Sequence, residues 1–179
     1  APELSALNSL RIGDSTSAVE GVVAYSFSEY RIHPTTEVNF NQTNPRTEAP
    51  QVAERGDLRI ASFNVLNYFN GDGQGAGFPT ARGADTAEEF NRQKDKIVSA
   101  ITALDADIIG LLEVENDGFG ELSAVADLVN SLNANLAEQD HYDYVNFGVD
   151  NIGTDKIMSA IIYRKNKVAE TGTAAINDE

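Results

Sequence analysis

Residues 105–117 read D-A-D-I-I-G-L-L-E-V-E-N-D, and this stretch decides the fold. Ile108, Ile109, Leu111 and Leu112 make a short apolar run, with acidic residues before it and Glu113, Glu115, Asn116 and Asp117 after it. A run that short and without alternation predicts a strand buried on both faces, inside an α/β sheet. Such a strand carries its carboxylates to the carboxyl edge of the sheet, where open α/β folds place their chemistry. Hard oxygen ligands at that edge suit Mg²⁺ or Ca²⁺. The plainer reading is that Glu113 and Glu115 are solvated strand-end residues.

Working outward, the flanking segments predict helix and strand in alternation. Thr86-Ala87-Glu88-Glu89 has the form of a capping box. Phe90, Ile97, Ile101 and Leu104 then lie on one helical stripe ending near Leu104. Leu122, Val125, Val129, Leu132 and Leu136 mark a second amphipathic helix. Strands are expected at residues 58–67, 142–147 and 157–163. Between the first of these and the helix, residues 70–83 hold a glycine-rich run that reads as a flexible surface loop. No Gly-Lys-Ser/Thr follows it, so it is not a P-loop.

Residues 1 to about 55 read as β structure and loop: a strand pair turning near 26–29, then an Asn-, Thr- and Pro-rich linker with its boundary at 48–56. The expected organisation is the end of a preceding β-rich domain (1–55) joined to a mixed α/β domain (56–179). The chain begins Ala1-Pro2 rather than with Met, so it reads as processed or excised.

Composition narrows the chemistry. Of the 179 residues 41% are hydrophobic, which argues against wholesale disorder. No apolar run approaches the roughly 18 residues of a membrane span, and no signal peptide is present. With no cysteine there are no disulfides, thiolate metal sites or cysteine nucleophiles. Thirteen basic residues against 28 acidic give a net charge of −15, which repels polyanions unless cations intervene.

Two strand-end motifs, Ser62-Phe63-Asn64-Val65-Leu66-Asn67 and, about fifty residues on, Gly110-Leu111-Leu112-Glu113-Val114-Glu115, resemble the first two motifs of the endonuclease/exonuclease/phosphatase (deoxyribonuclease I-like) superfamily. Arg82-Gly83-Ala84-Asp85-Thr86, Glu89-Phe90-Asn91-Arg92-Gln93, Glu113 to Gly118, Gly153-Thr154-Asp155 and Ile162-Tyr163-Arg164 are similar to the secreted bacterial extracellular nucleases of that superfamily. So are Arg11-Ile12-Gly13-Asp14 and Tyr30 to Thr35, which resemble the region before the nuclease domain.

The resemblance implies a four-layer α/β/β/α sandwich, here truncated, with its site where two sheets converge. It implies a secreted, metal-dependent phosphodiester hydrolase, an endonuclease acting on DNA or RNA with Mg²⁺, or with Ca²⁺ or Mn²⁺ in its place. Asn64 and Glu113 carry over as the catalytic, metal-proximal pair, and Glu115 is expected not to be a primary ligand. Arg82, Arg92 and Arg164 are the cations expected to contact phosphate, with Asn116 beside them in substrate binding; an ordinary surface or ion-pairing role is the plainer reading of each arginine. The superfamily's catalytic histidines, its Asp-x-Asn motif and its closing Asp-His pair would fall after Glu179. The chain is therefore expected to hold half a catalytic site, to be inactive alone and to leave apolar sheet surface exposed. His33 and His141 match no family position. The alternatives are a phosphatase or phospholipid phosphodiesterase of the same superfamily, and a non-catalytic extracellular module that binds a cation through its acidic surface.

Overall fold

The computed structural model describes residues 10–45 and 56–176. The chain divides into two compact units, Ala1–Gln51 and Val52–Glu179. Most of the expected linker boundary at 48–56 lies outside the described residues.

In the first unit, β1 (Gly21–Ser26) and β2 (Glu29–Pro34) form an antiparallel hairpin pairing Gly21 with Pro34 and Ser26 with Glu29. Its turn places Phe27 and Ser28 at positive φ. A bridge between Ser15 and Asn41 and the carboxylate of Asp14, which accepts from the backbone N–H groups of Arg11 and Asn44, close the adjoining loop.

The second unit is mixed α/β. Its strands are β3 (Ile60–Tyr68), β4 (Ile108–Glu115), β5 (Tyr142–Tyr144) and β6 (Ile157–Arg164), in the sheet order β3-β4-β6-β5. The β3–β4 pair is parallel, and the other two are antiparallel. The parallel pair needs a crossover, and α1 (Ala87–Leu104) supplies it. The helix starts as the capping box predicts: Thr86 Oγ1 accepts from the Glu89 N–H, and the Glu89 carboxylate reaches back to the Asp85 N–H. It stops at Asp105, whose left-handed backbone closes two hydrogen bonds back to Ile101 and Thr102. The second helix, α2 (Ala124–Asn133), begins at Ser123 and is shorter than its leucine spacing predicts. Leu122 stays exposed before it, and a short 3₁₀ turn at Glu138–Asp140 follows.

Both helices pack on one face of the sheet, against Val65, Ile109, Leu111, Val114, Met158, Ala160 and Ile162. A polar clamp fixes them there: the Tyr68 hydroxyl donates to Asp127 on α2, and Lys94 on α1 pairs with the same carboxylate at 2.9 Å. The opposite face is open, with Ile60 70%, Leu112 40% and Ile161 39% exposed. So β4 lies between two strands but is buried on one face only, and the expectation of burial on both does not hold. The described second unit is one sheet and one helical layer. No helix among the described residues is long and apolar enough to cross a membrane.

Candidate functional site at the carboxyl edge

Because β3 and β4 run parallel, their carboxyl ends meet at one edge, and Asn64 and Glu113 meet with them. The ladder is regular from Ile60↔Ile108 to Asn64↔Leu112, then resumes at Tyr68↔Val114. Residues 65–67 of β3 therefore oppose Glu113 alone. The mismatch is absorbed by three non-glycine residues in the left-handed region: Leu66 (φ 57), Asn67 (φ 50) and Glu113 (φ 64). That conformation costs about 1–2 kcal/mol per residue, and such strain clusters where side chains are aimed for function.

Side chains stabilise the bulge. Asn64 Oδ1 accepts from the Leu66 N–H at 2.7 Å, and Asn64 Nδ2 donates to Glu113 Oε1 at 2.7 Å. Glu113 Oε2 accepts from the Asn67 N–H at 3.2 Å. On α1, Gln93 Nε2 donates to the carbonyls of Val65 (3.0 Å) and Leu66 (2.6 Å), which the interrupted ladder leaves over. The Asn64 amide is fixed by its partners, since turning it over would set donor against donor at Leu66. Asn64 thus shows its nitrogen to Glu113, and two ligand oxygens do not converge there. Each Glu113 oxygen receives one donor and keeps a lone pair, so the carboxylate remains able to bind a cation.

Glu115 clasps the same segment one step further on, its Oε2 accepting from the Asn70 N–H at 3.1 Å. Burial, and then the nearby negative charge of Asp117, push the Glu115 carboxyl up to about 7. Asp117, on an otherwise exposed residue, turns its carboxylate onto the Ala124 N–H at the start of α2; desolvation still pushes it up to about 6. Among the described residues no three His, Cys, Asp or Glu side chains form a metal cage.

Asn64 borders an open cleft of about 760 Å³ between β3, α1 and the loop at 82–84. Arg82, Arg92 and Lys96 line it, together with Gln93 and Asn67. Arg82 is held by Asp155 at 2.8 Å, and Arg92 by Glu88 at 3.0 Å and Glu89 at 3.9 Å. The glycine-rich run is not a loose loop: Asp72 accepts from the N–H groups of Gln74 and Ala76 and ties it into a turn. Within it Gly73 (φ 70) packs so closely that a Cβ would lie 2.3 Å from the Leu122 carbonyl.

Two expectations need correction. Arg164 is at the opposite edge of the sheet, because β6 runs antiparallel to β4 and so ends where β4 begins. There it pairs with Asp105 (2.8 Å) and Asp107 (3.8 Å) and stacks on Tyr142. Asn116 is buried, and its side chain is spent on the loop before β6: Nδ2 donates to the carbonyls of Ile152 and Asp155, and Oδ1 accepts from the Ile152 N–H. It brackets the loop that presents Asp155 to Arg82, and so acts on the cleft at one remove. His141 precedes β5, whose pairing with the end of β6 puts it at the Arg164 edge, and His33 is in β2 of the first unit.

Gln93 was missed by sequence reasoning, although a signal was there: it falls three residues after Phe90 and four before Ile97, a polar residue inside the apolar stripe. Lys96 carries no such mark. No family model and no curated protein matches the chain.

Proposed function

We propose that the carboxyl edge of β3 and β4 is the metal-binding part of a phosphodiester hydrolase, and that the whole acts as a secreted endonuclease on DNA, or on RNA, with Mg²⁺. The resemblance of the two strand-end motifs supplies the reaction class and, for the intact domain, the four-layer sandwich. The observation that carries the reading is the Asn64–Glu113 contact at 2.7 Å across a bulge held by three left-handed residues. Left-handed strain of this kind recurs where side chains are held in one orientation for function, as well as at sheet edges.

In this reading Glu113 is the protein ligand. One carboxylate with waters and a substrate phosphate is an ordinary environment for Mg²⁺, which keeps most of its hydration. When bound, the ion supplies positive charge to the phosphoryl oxygens and the departing alkoxide. Asn64 and the Asn67 N–H fix the carboxylate's orientation, so Asn64 positions the ligand instead of binding beside it. Arg82, Arg92 and Lys96 draw the phosphate backbone along the cleft, against the repulsion that a net charge of −15 produces.

The test is nicking of supercoiled plasmid by the intact protein in Mg²⁺, alone and with Glu113→Gln. Nicking that is lost in EDTA and falls at least about a hundredfold in Glu113→Gln is the expected result, the scale of losing one preorganised stabiliser of transition-state charge. Nicking that Glu113→Gln leaves intact overturns the assignment. Release of inorganic phosphate from a monoester, with no nicking, would place the protein among the phosphatases.

A further inference from the structure

We propose that the cleft beside Asn64 seats an unpaired stretch of nucleic acid, with bases against its floor and phosphates on its rim. This rests on the phosphodiester reading of the adjoining edge and names the form of substrate that edge receives. The floor and rim differ in chemistry. Phe63, Ile97 and Ala100, buried or half-buried, form an apolar floor, while the exposed Arg82, Arg92 and Lys96 stand along the walls. Lys96 pairs with no carboxylate among the described residues.

Three of the chain's 13 basic residues thus gather round one recess whose lining holds one carboxylate, Glu89; Arg82 and Arg92 carry carboxylate partners that a phosphate would share, and Lys96 carries none among the described residues. That concentration selects an anion with an apolar body. An acidic peptide has the charge but no flat apolar face. A duplex has both, but it stacks its base faces inside and offers only phosphates on a convex surface. A single strand exposes both along its length, and basic grooves with apolar or aromatic floors are how sequence-tolerant binders hold one. At about 760 Å³ the recess is of the size of small-ligand sites, so it takes a short run of nucleotides and no double helix.

The experiment is fluorescence anisotropy with the 179-residue chain in EDTA at low salt, using a short labelled oligothymidylate and a blunt duplex of equal length. The single strand is expected to bind roughly tenfold tighter or more, since only it reaches the floor. Lys96→Glu, an exposed change, should weaken single-strand binding and lower the slope of log K against log salt by about 0.7, the value of one phosphate contact on a single strand. Ala100→Leu keeps a good helix former and fills the floor without altering charge; it should weaken the single strand and leave the duplex unchanged. Circular dichroism of both variants checks that they remain folded. Equal or tighter duplex binding, no effect of Ala100→Leu in a folded variant, or equal competition by polyglutamate each overturns the proposal. Glu113→Gln should lose nicking and keep this binding: nicking retained alongside single-strand binding overturns the phosphodiester reading alone, and nicking lost with no preference for the single strand overturns the cleft proposal alone.

Discussion

Both ends of β4 carry carboxylates at alternate positions, two at the amino end and three at the carboxyl end, and treat them in opposite ways. At the amino end, Asp105 and Asp107 meet guanidinium groups: Arg59 and Arg164 pair with Asp105 at 3.0 and 2.8 Å, and the buried Asp107 also accepts from the Arg59 N–H at 2.9 Å. At the carboxyl end, Glu113, Glu115 and Asp117 meet, among the described residues, only amides and backbone N–H groups. The first arrangement neutralises charge inside the protein. The second orients negative charge and leaves it uncancelled. The one strand therefore separates an edge whose charge is paired with cations from an edge whose charge is held by N–H donors alone among the described residues.

Removing a partner at the amino edge should do the greatest damage to stability. Arg164→Ala removes the cation paired with the largely buried Asp107 carboxylate and takes a partner at 2.8 Å from Asp105. Breaking one side of a buried pair typically costs about 3–5 kcal/mol, so a large fall in the denaturation midpoint is expected. A loss under about 1 kcal/mol would show that the two edges do not differ in kind.

At the carboxyl edge the expected result is the converse. Glu113→Gln should leave the midpoint nearly unchanged while weakening Mn²⁺ binding, followed by electron paramagnetic resonance, by at least about 100-fold, beyond the roughly 10- to 100-fold typical of losing a group that only supports a ligand. Unaltered Mn²⁺ binding would move the cation elsewhere.

A smaller effect isolates the backbone strain. Glu113→Gly and Glu113→Ala lose the same carboxylate, but only glycine adopts φ 64 without cost. The glycine variant should be the more stable by about 1 kcal/mol in urea unfolding, the reverse of the usual order in a strand. Equal stabilities would mean that the bulge relaxes once the side chain is gone.

The smallest effect is the pH dependence of the uncancelled pair. Folding raises the carboxyls of Glu115 and Asp117, to about 7 and about 6. The folded state then holds more protons than the unfolded state, so their contribution is fully present below the ordinary carboxylate range and is lost as pH rises through 6 to 7. The melting temperature without divalent cation should drift down over that interval. Glu115→Gln should flatten the drift; an unchanged drift would remove Glu115 from the account.

Much of this was legible beforehand. Thr86 and Glu89 announced α1, the apolar stripe announced its buried face as far as Ile101 though Leu104 is exposed, and two apolar runs ending in Asn64 and Glu113 announced that these residues would share an edge. Chain direction was not legible. Nothing in Ile157 to Arg164 says that β6 runs antiparallel, and direction alone decides whether Arg164 reaches the carboxyl edge or the amino edge. The bulge was hidden as well, since left-handed Leu66, Asn67 and Glu113 break residue preferences and are imposed by the contacts of Asn64, Gln93 and Glu113 across the sheet. Asn116 misled for a related reason: its sequence position resembles a substrate contact, but burial commits its side chain to the neighbouring loop.

The bulge also sets what the outer margin of the sheet can accept. In the described sheet β3 has β4 on one side only, and an unpaired margin invites strands from other chains. Past Asn64 the backbone leaves the ladder, and Gln93 already occupies the carbonyls of Val65 and Leu66. A strand docking alongside β3 finds regular pairing only along residues 60–64. The bulge is therefore a stop: it limits sheet growth along this margin to a short overlap.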